Sequence, residues 1–90
     1  MALDPKWVTM AVEAYCRASY TERRAIHFYF RGWSFKSIRR RFKNDFGRTQ
    51  EVRDLCAPFR MVRTRVTVPK LESLAESDTA ALITRAFEPT

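Results

Sequence analysis

Apolar residues recur every three or four positions along most of this 90-residue chain, in short runs separated by Ser, Thr, Gly or Pro. That period is the stripe by which an α-helix packs on a core. With only two Gly and four Pro, a many-turned β fold is disfavoured. Asp4-Pro5 is a helix-start signal, and Trp7, Val8, Ala11, Val12 and Tyr15 follow at helical spacing, which predicts a first helix over about 5–18. Thr21 is the expected cap of a second helix over about 22–31. Glu22 sits in its first turn, Ile26, Tyr29, Phe30 and Trp33 form one buried face, and Gly32 lets the chain turn. Ser34 caps a third helix over about 35–46, with Phe35, Ile38, Phe42 and Phe46 inward and Gly47 as its stop.

Thr49 is the expected cap of a fourth helix. Its stripe is Val52, Leu55, Phe59, Val62 and Val66, with Cys56 beside it. Inside a helix Pro58 removes a hydrogen bond and costs about 3 kcal/mol, so the helix either kinks there or ends at Cys56 or Ala57. Because the apolar spacing continues past Pro58, a kink is the expectation. Arg65-Val66-Thr67-Val68 is β-rich and reads as extended. Pro69 then opens a last helical region over about 70–87, continuous or broken at Ser77-Asp78, which docks Leu71, Leu74, Leu82, Ile83 and Phe87 on the core. The expectation is an all-α fold, a small helical bundle.

At this length and 46% hydrophobic content, the chain suits one domain with a single modest core. We read 1–90 as that domain: a helix-turn-helix core at 20–64, a supporting helix in 1–19, and a C-terminal helical extension at 66–90. No window of about 18 apolar residues exists, so no membrane association is expected. The stretch MALDPKWV lacks the pattern of a secretory signal. Cys16 and Cys56 lie far apart, and with His27 as the one histidine they give neither a disulfide framework nor a zinc spacing. A reduced intracellular compartment is the expectation.

The charge is unevenly spread. Of the formal net +7, residues 23–65 hold 13 Lys/Arg against 3 acidic residues, a net of +10, between a −1 flank before and a −2 flank after. Such a segment in an acidic frame points to a polyanion partner. Three short helices joined by tight turns, the last two separated by Gly47-Arg48, form a helix-turn-helix pattern. In that geometry the last helix of the trio enters the major groove. Its base-contacting residues are Gln50, Arg53, Asp54 and Ala57; Arg pairs with guanine and Gln with adenine in bidentate fashion. Lys36, Arg39, Arg40 and Lys43 of the preceding helix contact phosphates. Arg48 in the turn suits either role, and Arg60, Arg63 and Arg65 extend the phosphate contact. Six to eight neutralised phosphates give a log K against log salt slope of about −5 to −7.

These residues carry a family likeness. Tyr20-Thr21-Glu22-Arg23, then Gly32-Trp33-Ser34-Phe35-Lys36-Ser37-Ile38, then Arg41-Phe42-Lys43-Asn44-Asp45-Phe46-Gly47-Arg48-Thr49 resemble Myb/SANT-like and wider homeodomain-like helix-turn-helix domains, in versions common in fungal proteins. The resemblance covers about residues 20–64. It implies a three-helix DNA-binding domain in a nuclear protein (nucleoid, in a bacterium or phage), a transcription regulator or chromatin-associated factor.

The remaining features read as structural. Trp7, Trp33 and the phenylalanines fall on core stripes rather than forming base-stacking platforms, His27 is a structural or exposed histidine, and Cys56 is a buried inert thiol. Arg39-Arg40-Arg41 with Lys43 also fits part of a nuclear import signal. Nothing supplies a nucleophile, a metal set or a glycine-rich phosphate loop, so neither enzymatic activity, a cofactor nor a small-molecule substrate is expected. The partner expected first is double-stranded DNA, with a homodimer through the C-terminal helical region as a second. The competing reading is a SANT-like protein-interaction or dimerisation module that binds a histone or acidic partner without reading DNA sequence. A third is a charge-and-shape binder of RNA or random duplex.

Overall fold

The computed structural model describes residues 3–76 as an all-α fold. Its elements are α1 (Pro5–Arg17), α2 (Tyr20–Phe30), α3 (Phe35–Arg41), α4 (Thr49–Cys56), a 3₁₀ turn (Ala57–Phe59) and α5 (Val68–Glu76). Helices α2, α3 and α4 pack on one another, while α1 lies against α5 and the 3₁₀ turn. The expected stripes converge: Val8, Ile26, Ile38, Val52, Phe59, Val62 and Leu71 are fully buried, each worth about 1.5–3 kcal/mol of transfer free energy.

The N-terminus of α1 forms as expected, with the Asp4 carboxylate accepting from the Lys6 amide at 3.0 Å and Pro5 in the first turn. The cap of α2 does not. It is Ser19, one residue before the helix, rather than Thr21. The Glu22 amide donates to Ser19 Oγ at 3.2 Å and the Ser19 amide donates to Glu22 Oε1 at 2.8 Å, a reciprocal capping box that wins because it satisfies two orphan donors. After α2 the chain turns through Gly32 at φ +95°, a conformation that a side chain would strain. Trp33 lies outside the helix and is 39% exposed, its ring 4.3 Å from that of Phe28, so it does not continue the buried face.

Helix α3 stops at Arg41, five residues short of the expected end. Phe42 leaves helical geometry at φ −117°, ψ 38°, and a turn over 42–45 follows. Both Phe42 and Phe46 are buried, and Asn44-Asp45 suits a turn better than a helix interior. The α3–α4 connection therefore spans 42–48 rather than Gly47-Arg48 alone, and Gly47, without a positive φ, is no helix stop. Helix α4 begins at Thr49. Arg48 takes the cap position without a side-chain bond, while Glu51 Oε2 accepts from the Gly47 amide at 3.1 Å. Pro58 ends α4 instead of kinking it, since it cannot donate an amide bond and sits at the start of the 3₁₀ turn. The chain then keeps turning to Arg65, and the Val66 amide donates to the Val62 carbonyl at 2.8 Å. Residues 65–68 are thus not extended, and α5 starts at Val68 with Pro69 in its first turn. Leu71 docks fully and Leu74 partly; Leu82, Ile83 and Phe87 lie outside the described residues.

A polar cluster joins α1, α2 and α5. Tyr15 Oη lies 2.8 Å from His27 Nε2 and 3.1 Å from Glu72 Oε1, and His27 Nε2 lies 3.2 Å from the same carboxylate oxygen. With a proton on Nε2, all three are satisfied in series: imidazole to phenol, phenol to carboxylate. Burial, then Glu72, pushes the Tyr15 hydroxyl up to about 12; burial lowers His27 against the opposing pull of Glu72. Arg23 completes the seam, donating from Nε to the Tyr15 carbonyl at 3.0 Å and from Nη2 to the Cys16 carbonyl at 3.4 Å, where it satisfies the end of α1.

Candidate nucleic-acid interface

Helix α4 buries Val52 and Cys56 and turns Gln50, Arg53 and Asp54 to solvent; Ala57, the helical-geometry cap that opens the 3₁₀ turn, is exposed as well. These four fall at i, i+3, i+4 and i+7, so they share one face. They are not independent. Gln50 Nε2 donates to Asp54 Oδ1 at 2.9 Å, which leaves the Gln50 carbonyl and the second carboxylate oxygen of Asp54 on offer. The Arg53 guanidinium stands 5.7 Å from the centre of the Phe35 ring, at the start of α3. Cys56 lies beneath this face, and burial pushes its thiol up to about 12 although Arg63 pulls the other way. A thiol held protonated is a packing group at neutral pH.

The cations of α3 divide. Lys36, Arg40 and Lys43 are exposed. Arg39 is half-buried, its Nη2 donating to the Gly47 carbonyl at 3.1 Å while its Nε is buried without a partner. Arg39 therefore braces the α3–α4 connection. Arg48 is exposed at the start of α4.

Arg60 and Arg63 come together with two other arginines. An open cleft of about 720 Å³ lies between the end of α2, the start of α3, and α4 with the turn that follows it. Arg31, Arg53, Arg60 and Arg63 line it over Tyr29, Phe30 and Phe35, and no acidic residue is among its lining. The Arg63 guanidinium sits 4.4 Å from the centre of the Tyr29 ring, and that of Arg31 lies 5.7 Å from the Phe28 ring. None of the four forms an ion pair among the described residues. Arg31 is the residue that the sequence pattern does not mark. It follows α2, distant in sequence from Arg53 and Arg60, and only the α2–α4 packing brings it there. Its signal in the sequence is the Arg31-Gly32 pair at the α2 stop, which reads as a turn.

Among the described residues no three His, Cys, Asp or Glu side chains are placed to hold a metal ion, and no helix is long and apolar enough to cross a membrane. Comparisons with family models, with curated proteins and with solved structures find no match to this chain.

Proposed function

We propose that this chain binds double-stranded DNA, with α4 in the major groove, as a Myb/SANT-like transcription regulator or chromatin-associated factor of the nucleus. The observation that carries the reading is the outward face of α4: an eight-residue helix buries Val52 and Cys56 and exposes Gln50, Arg53 and Asp54, with Ala57 exposed directly after it. Exposed cations stand on either side of it in the chain: Lys36, Arg40, Lys43 and Arg48 before it, Arg60 after it. Arg53 has the fork to pair with guanine O6 and N7. The Gln50–Asp54 pair offers a donor and acceptors together, and Asp54 can accept from cytosine N4. The flanking cations hold the helix in register on phosphates without reading sequence.

Selection of binding sites from a random duplex pool tests this directly. Arg53→Ala relaxes the preference at one base pair, worth about 1–3 kcal/mol, while Arg40→Ala weakens every sequence alike. Loss of neither affinity nor preference in both variants defeats the reading. The protein-interaction alternative predicts no duplex binding and an acidic partner on the basic face; a homodimer through the C-terminal region is compatible with DNA binding and is read by light scattering across a concentration series. What bears on it is that α5 packs in cis on α1, with Leu71 already buried.

A further inference from the structure

The arginine cleft has properties that a solvated basic surface lacks. Its four guanidiniums belong to three separate stretches of chain, yet they line one concavity with no acid among them. Like charges held at close quarters repel, and an anion seated among them relieves that repulsion. Three of the four stand over aromatic rings. Arg31 lies over Phe28, Arg53 over Phe35 and Arg63 over Tyr29, each within 5.7 Å of a ring centre. A guanidinium resting its face on a ring keeps its N–H edge for an oxyanion and loses little freedom on binding. At the rim, the chain turns at Gly32, whose φ of +95° brings Arg31 to the edge of the cleft. The concavity also runs on. A second cleft of about 570 Å³ shares Phe30, Arg31, Arg63 and Thr64 with the first, and Glu72 with His27 closes its far side, so the acid-free part is the first cleft. Several guanidiniums around one concavity fit linked phosphates better than a single carboxylate, because planar forks match several phosphate oxygens at once.

We propose that this cleft is a phosphate seat, in which Arg31, Arg60 and Arg63 bind a chain of phosphate groups, with Arg53 at its α4 edge. The source is either the backbone of a bound duplex, in which case the inference rests on the DNA reading above, or a free polyphosphate, in which case it does not. Arg31 and Gly32, outside the helix-turn-helix face, are part of the site in both cases.

Pyrophosphate is the probe, titrated into the full chain at low salt while the arginine Nε–Hε resonances are followed by NMR. The Arg31 and Arg60 resonances shift and saturate. Arg60→Gln and Arg31→Gln each weaken pyrophosphate about tenfold, the loss of one charge-assisted contact, whereas Lys70→Gln, at an exposed lysine outside both clefts, changes it less than about twofold. Arg60 is exposed and among the described residues makes no ring contact, so its variant separates binding from folding. Failure of pyrophosphate to saturate, or equal weakening by Lys70→Gln, overturns the seat. A second arm measures duplex affinity in the Arg31→Gln/Arg60→Gln double variant. A salt slope reduced by about 2, with pyrophosphate displacing the duplex, identifies the DNA backbone as the source. Duplex binding with an unchanged slope and no pyrophosphate binding sinks the seat and leaves the DNA reading standing. Saturable pyrophosphate with no duplex binding keeps the seat, makes the free polyphosphate its ligand and sinks the DNA reading.

Discussion

The seam where α1, α2 and α5 meet and the cleft between α2 and α4 both gather ionisable side chains, and they treat charge in opposite ways. In the seam every polar group has a protein partner: Tyr15, His27 and Glu72 share protons, and Arg23 satisfies the end of α1. In the cleft Arg31, Arg53 and Arg63 stand over aromatic rings, and among the described residues no carboxylate lines it. Where charge is neutralised inside the fold it serves the fold. Where it is left uncompensated it is available to a partner. The same division runs through α3, where Arg39 is spent on the Gly47 carbonyl and Arg40 faces solvent.

The largest effect removes what both regions stand on. Phe59 is fully buried and is the biggest such side chain, so Phe59→Ala lowers stability by about 3–5 kcal/mol in urea unfolding, and binding disappears with the fold. A loss below about 1 kcal/mol breaks the idea of a shared core. Next is the seam alone. Tyr15→Phe leaves His27 and Glu72 without their shared hydroxyl and lowers stability by about 1 kcal/mol, with duplex affinity unchanged. If duplex affinity falls as much as stability, the two regions are not separable.

The seam also has a pH signature. His27 is lowered below its ordinary 6.5, so the unfolded chain takes up that proton first. The stability it contributes is present above pH 6.5 and is lost as pH falls below it. Tyr15 and Cys56, raised to about 12 from 10.0 and 9.0, act in the opposite sense. Their contribution is present below pH 9 and is lost as pH rises from there towards 12. Urea midpoints across pH should show a plateau between these limits, and His27→Gln should flatten its acid shoulder. The smallest effect on stability belongs to the exposed cations: Arg40→Gln changes it by less than about 0.5 kcal/mol, yet reduces the salt slope of duplex binding by about 1. Arg39→Gln gives the reverse, a loss of stability with little change in slope.

The all-α fold and its buried stripes were legible in the sequence, the seam and the cleft were not, and the gaps have physical causes. The residues expected on the core stripes are mostly inside, including Phe59, Val62 and Val66, although the helix expected to carry them stops at Cys56. A 3₁₀ turn also repeats every three residues, so spacing alone does not separate it from a continuing helix. Phe42 and Phe46 misled in the same way, because a turn brings both inward as a helix would. The Ser19 cap was readable as S-x-x-E and lost to the nearer Thr21. The outward face of α4 follows from periodicity. The cleft does not, because Arg31 and Arg63 reach Arg53 only through the packing of α2 against α4, which no local pattern encodes.

The most direct test of the central claim is fluorescence anisotropy of a labelled random-sequence duplex with the full chain, from about 50 to 200 mM salt. The account predicts saturable binding whose log K falls with log salt at a slope of about −5 to −7. Absence of saturable binding at the lowest salt would contradict it and would turn the basic face towards an acidic protein partner.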